Sequence, residues 1–304
     1  IRFVIFAAIL IFLAYVTAIS WNEVATYANF NVKDMFLICF LHITFLVLNA
    51  KRFHILLEIY SSDQIEFKQW FRIYVGGTLI NRFLPQIGNI YKGIELKRLA
   101  NICYSGYAGA LLWLSWVDIL LCLSLALTLV ALGRSIAEDS GFLLILVAVF
   151  VAIGISPLLL KHCFRISSGA PVGKRVRLVL RFLEAAVNPG LVRHHLNRFV
   201  VVIGLGIFGI VLMAYRLSLG FQAFGVNLSL ADLLVLFALY KLTTLVMVTP
   251  GNLGVQEISI ATLSDSLGYD FSGGFLASLL LRMCGYLSFV MLWVISALSG
   301  RVRR

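Results

Sequence analysis

The chain has 304 residues, 61% of them hydrophobic and only 13% charged, with a formal net charge of +11. A soluble domain carries roughly 25% charged residues, so a water-soluble fold is excluded and an all-α, polytopic helical membrane protein is expected. The basic excess sits in particular loops, which argues against a nucleic-acid partner and for the bias that orients membrane helices.

A span needs about 20 apolar residues, and on that measure about seven to eight transmembrane helices are predicted. They fall near residues 3–20, 35–50, 102–132, 142–160, 199–222, 230–248 and 274–299. The run 251–268 is shorter and more polar, and reads as an eighth span or as half of a re-entrant hairpin. No polar stretch exceeds roughly 40 residues, less than an independent domain, so residues 1–304 are read as a single integral membrane domain. Because the sequence begins at Ile1 rather than Met, a short N-terminal piece is expected to be missing. Residues 3–20 have no small-residue cleavage site after them and read as a first helix, not a signal peptide.

Orientation follows from the bases. Lys51 to Arg98 holds eight Lys or Arg against four acids, Lys161 to Arg198 holds eight against Glu184, and Arg301, Arg303 and Arg304 close the chain. These segments are placed inside, with 21–34, 133–141, 223–229 and 265–273 outside and both termini cytoplasmic in a cell (inner or plasma) membrane. Residues 161–198 form a basic cytoplasmic loop, within which 174–183 has the pattern of an interfacial amphipathic helix. The cysteines are scattered without metal or disulfide spacing. No cofactor or metal is expected, and no nucleotide-loop or hydrolase motif is present.

Two breaks interrupt this apolar pattern. Residues 75–89 contain Gly76-Gly77 and Leu84-Pro85-Gln86-Ile87-Gly88-Asn89, and residues 249–257 read Thr249-Pro250-Gly251-Asn252-Leu253-Gly254-Val255-Gln256-Glu257. Backbone breaks at membrane depth survive only where protein or a wet cavity surrounds them. Paired breaks in two halves of a chain point to a transporter's central site and admit an inverted internal repeat. The first break is read as re-entrant from the basic side.

Ionisable residues in apolar segments are costly, and each is a site candidate. Arg82, three residues before Pro85, suits bidentate phosphate contact, with a snorkelling role as the plainer alternative. Glu257 lies one turn beyond the second break and is expected to pair with Arg282 or to receive a cation. Asp118 is expected in a structural ion pair with Lys241 or Arg282. His42 reads as a packing residue, Arg216 lies near an outer helix end, and the glycines at 204, 206 and 209 read as a close-packing helix face.

The second break resembles the TPGGlGvrE signature of the lysylphosphatidylglycerol synthase transmembrane-region family, whose members include flippase domains. Leu84 to Asn89 is similar to that family's first motif, and Leu279-Leu280-Leu281-Arg282 to the entry of its last helix. Asn89 and Asn252 stand where the family shows Gly, and Ile90 stands where it shows Asp. The resemblance runs from about residue 35 to 299, without a synthase domain, so lysyl transfer from tRNA is not implied. It implies movement of a phospholipid or lipid-linked sugar between leaflets, with Pro85, Gly88, Lys92, Pro250, Gly251, Gly254, Glu257 and Arg282 carried over as substrate-binding residues. The implied partners are an anionic phospholipid or polyprenyl-linked lipid, and a homodimer or a separate synthase or glycosyltransferase. The alternatives are a membrane-embedded transferase using polyprenyl-linked sugars and a non-transporting scaffold.

Overall fold

The computed structural model describes residues 32–60, 65–84, 86–131, 151–152, 194–243 and 252–301. The expected helix at 3–20, nearly all of 142–160, the basic loop up to residue 193, and Pro85, Pro250 and Gly251 lie outside the described residues. Within them are eight helices and no strand: α1 (Val32–Tyr60), α2 (Phe67–Phe83), α3 (Ile87–Ala100), α4 (Tyr104–Ala131), α5 (Leu196–Gln222), α6 (Leu230–Thr243), α7 (Val255–Ser266) and α8 (Phe271–Arg301). Among the described residues, four stretches are long and apolar enough to cross a bilayer: Lys33–Tyr60, Tyr104–Leu125, Leu196–Gln222 and Phe271–Ile295.

The structure moves three expected boundaries. Helix α1 runs on to Tyr60 instead of ending at 50, because the bases there are taken up by the fold. Arg52 is buried and bonds Asp118 at 2.6 Å, Asn49 at 3.0 Å and the Val202 carbonyl at 3.0 Å. Lys51 lies over the Phe67 ring at 5.3 Å. Helix α7 has 12 residues, a rise of about 18 Å against a hydrocarbon core of about 30 Å. It therefore fits a half-span and not an eighth crossing. Gly76 and Gly77 lie inside helix α2, so the first break is confined to the residues around 84–86.

At that break the chain reverses. Gln86 takes a left-handed φ of 69°, and Gly88 returns so close to the Gly77 carbonyl that a Cβ there would collide with it. Asn89 closes the turn, donating its backbone N–H to Asn81 Oδ1 at 3.2 Å and its amide to Gln86 Oε1 at 3.0 Å. It also accepts from Asn81 Nδ2 at 2.9 Å. Helices α2 and α3 are thus the arms of a helical hairpin, in which Gly88 is required for close approach rather than for conformation.

The described chain divides into two compact units. One takes residues up to Val47, Val75–Asn89 and Gly209 onward; the other takes Leu48–Tyr74 and residues from Ile90 to Phe208. The second unit is built around Trp70, whose Nε1 donates to the Ala50 carbonyl at 2.8 Å and whose ring lies 5.0 Å from Phe53. In the first unit α7 packs between α6 and α8. Ser229 caps α6 through the Asp232 N–H at 3.2 Å, Asp270 caps α8 through the Gly273 N–H at 2.7 Å, and Tyr269 bonds Asp232 at 2.8 Å. Such caps satisfy donors that a helix start leaves open.

Gly88→Ala is expected to destabilise the protein by about 1–3 kcal/mol, the usual cost of overpacking, seen as a lower melting temperature in detergent. Gly204, whose Cβ would meet nothing within 4 Å, is the control: Gly204→Ala should be neutral or stabilising, since Ala is favoured over Gly in a helix by about 0.5–1 kcal/mol.

Candidate functional site

The second break leads into α7 through Asn252, at φ 54°, and Gly254, at φ 81°. Glu257 stands in the first turn of α7, fully buried. One carboxylate oxygen accepts the Gly254 N–H at 2.8 Å, and the other accepts Nε of Arg282 from α8. The same guanidinium donates to the Asn252 carbonyl at 3.1 Å and to Gln256 Oε1 at 3.0 Å. Arg282 therefore ties together the break, the start of α7 and α8. Its pairing with Glu257 is the structural role weighed for it in the sequence, and the N-terminal position of the carboxylate on α7 is favourable in the helix dipole.

Beside this brace lies a cavity of about 130 Å³, lined by His42, Phe45, Arg82, Met213, Arg216, Tyr240, Lys241, Gln256, Ile260, Ser278, Leu281, Arg282 and Gly285. Four cationic side chains line it and no carboxylate does, among the described residues; the intervening segment 244–251 has no ionisable residue. Aromatic rings and a backbone carbonyl lie near three of these cations. The Arg82 guanidinium lies 5.2 Å from the Phe289 ring, and Lys241 Nζ lies 5.2 Å from Phe45 and 6.0 Å from Phe237. Arg216 is buried and donates to the Leu281 carbonyl, and His42 is set edge-on to Phe289 at 5.4 Å. Ring faces attract cations by about 0.5–2 kcal/mol, well short of what desolvating an ion costs. The described lining of the cavity is basic.

Some predicted residues come together here and others do not. Arg82, from the arm of the first hairpin, and Arg282, beside the second break, line the same cavity. Lys241 lines it too, instead of pairing with Asp118. The Asp118 carboxylate takes Arg52, which the boundary placed at residue 50 had put outside the membrane helices. Gly254 serves the Glu257 brace and Gly88 the hairpin turn, and neither lines the cavity. Lys92 belongs to the other unit, where it is buried 4.8 Å from the centre of the Tyr74 ring. Burial pulls its ammonium down to about 8. Arg216 and His42 were missed as site residues. Their only sequence signal was an ionisable group in an apolar helix, and convergence on one cavity is a property of the folded chain. Gly206 and Gly209 face Arg52 and Phe45 as a close-packing surface would, whereas Gly204 faces open space.

These features define an all-helical membrane protein, among the described residues, with a basic cavity lined from both long and short helices. The chain belongs to the lysylphosphatidylglycerol synthase TM region family, whose model matches residues 1–293. Neither a curated protein nor a solved structure matches it.

Glu257→Ala leaves the Arg282 charge buried without its carboxylate, and a loss of about 3–5 kcal/mol is expected in denaturant or thermal unfolding. Replacing both Glu257 and Arg282 by Leu should cost less than the two single changes added together. Lys92 gives a pH-dependent case. Its folded value lies below the ordinary 10.5, so the penalty for charging it is fully present below pH 8. The penalty fades as pH rises from 8 to 10.5, where the unfolded chain binds the extra proton. Lys92→Met should therefore melt higher than wild type at pH 7, with the gap closing by pH 10.5.

Proposed function

We propose that this protein moves an anionic lipid, a phospholipid or a lipid-linked sugar, between membrane leaflets. The observation that supports this reading is a cavity lined by Arg82, Arg216, Lys241 and Arg282, with no carboxylate in the lining among the described residues. At about 130 Å³ it is smaller than the 300–1,000 Å³ of a drug-sized pocket, which suits a headgroup and leaves the acyl chains outside. Arg and Lys in apolar helices are costly and so are candidates for a transport pathway, and an anionic headgroup suits a basic lining. Half-length helices flanking such a site are the usual construction of a transport centre.

In this reading movement is passive or driven by an ion gradient. The protein resides in the cell membrane with both termini cytoplasmic, the side marked by the basic loops. Membership of the family supports the reading at the level of class and leaves the lipid open. A transferase would need an acid or base facing the substrate; Glu257 is held by Arg282 and Gly254, which leaves His42 as the acid–base group of the described lining.

The test is transbilayer movement of headgroup-labelled anionic lipids in proteoliposomes. Wild type should accelerate it, and Arg82→Ala and Arg216→Ala should slow it at least tenfold, as expected for losing a charged hydrogen bond of about 1.5–3 kcal/mol. Well-folded wild-type protein that moves none of the anionic lipids would rule the reading out.

A further inference from the structure

His42 stands in the apolar helix α1 against the Phe45 and Phe289 rings. It is 3% exposed, and neither of its ring nitrogens makes a hydrogen bond among the described residues. Buried polar atoms in folded proteins nearly always have a partner. The ring nonetheless lines the cavity, and space adjoins its Nε2. A Cβ built on Gly285 of α8 would stand 3.7 Å from that nitrogen. Outside its own stretch of helix it would have one other atom within 4 Å among the described residues, Arg216 Nη2. That Nη2 already donates to the Leu281 carbonyl, whereas Nε of the same buried side chain has no partner.

The open atoms specify what fits them. The described lining holds no carboxylate that would pair an imidazolium, and a neutral imidazole carries one N–H donor and one bare acceptor nitrogen. The unesterified oxygens of a phosphodiester only accept. They can answer an N–H, but never the bare nitrogen. A hydroxyl both donates and accepts, so it fits Nε2 in either tautomer. We infer that His42 is a specificity-determining residue whose imidazole reads a headgroup hydroxyl, so that the cavity takes a polyol or sugar headgroup over one without hydroxyls. This deepens the proposed function and rests on its assignment of the cavity as the headgroup site.

Charge can be held constant in the test. Phosphatidylglycerol and phosphatidylpropanol carry the same charge and the same propyl skeleton, and differ only in the headgroup hydroxyls. The full chain in phosphatidylcholine nanodiscs would be titrated with each lipid and, in solution, with glycerol phosphate. Wild type should bind phosphatidylglycerol more tightly than phosphatidylpropanol by about tenfold or more, since a site built for a hydroxyl rejects the analogue that lacks it. His42→Phe, which keeps the aromatic packing and removes both nitrogens, should bring phosphatidylglycerol down to the level of phosphatidylpropanol. His42→Leu serves if the phenylalanine variant fails to fold.

Equal binding of the two lipids by wild type would overturn the proposal and leave water as the partner of the ring. A preference that survives in either folded variant would overturn it as well. Glycerol phosphate binding as tightly as phosphatidylglycerol would support the hydroxyl contact and identify a soluble polyol phosphate as its source. Hydroxyl-selective binding with no transbilayer movement of any anionic lipid would leave the role of His42 standing and remove the flippase reading. Movement without that selectivity would do the reverse.

Discussion

Hydrocarbon gives an open amide no partner, so a helix can be interrupted at membrane depth only where the protein itself closes the gap. Both interruptions in this chain meet that demand with side chains. At the second, one guanidinium takes a backbone carbonyl, an amide oxygen and a carboxylate, while the carboxylate takes a backbone N–H. At the first, Asn81, Gln86 and Asn89 interlock across the turn. The short helices, the reversal of the chain and the cavity all follow from these two closures. Without them the segments would have to run on as unbroken helices or leave the membrane.

The two closures differ in a way that matters for the cavity. The Asn clasp is neutral and contributes no charge to its surroundings. The Arg282–Glu257 brace is internally compensated, so it fixes geometry while adding nearly nothing to the field inside the cavity. The other cations of the lining, Arg82, Arg216 and Lys241, have aromatic faces and a backbone carbonyl among their near neighbours, and aromatic faces attract a cation without neutralising it.

Much of the architecture was legible in the sequence because apolar runs and Pro-Gly breaks report directly on burial in lipid. The helices at 104–131, 196–222 and 271–301 fall near their predicted limits, and the Glu257–Arg282 pair was among the readings of those two residues. The errors share a cause. Ending α1 at residue 50 treated Lys51 and Arg52 as loop charges, when Asp118 and the Val202 carbonyl make Arg52 acceptable inside. Seeking the partner of Asp118 in Lys241 or Arg282 followed from the same omission, since Arg52 had been placed outside. Asn89 was noted only as a departure from a glycine pattern, although its amide is what holds the turn. Pairing across 66 residues, as between Arg52 and Asp118, is invisible to periodicity.

The burial of Arg52 and Lys92 bears on how the chain enters the membrane. Orientation is set during insertion, when the bases flanking each helix are read before the fold has formed. At that moment Lys51 to Arg98 presents all eight of its cations. In the finished protein Arg52 and Lys92 are buried and Arg82 lines the cavity, so these three no longer stand with the surface bases of the segment. If the positive-inside bias orients this chain, three residues that serve the packed interior would first be read as topogenic signals. Substituting any of them risks inverting a helix during biogenesis as well as altering the mature protein. The two effects separate only when topology is mapped alongside activity.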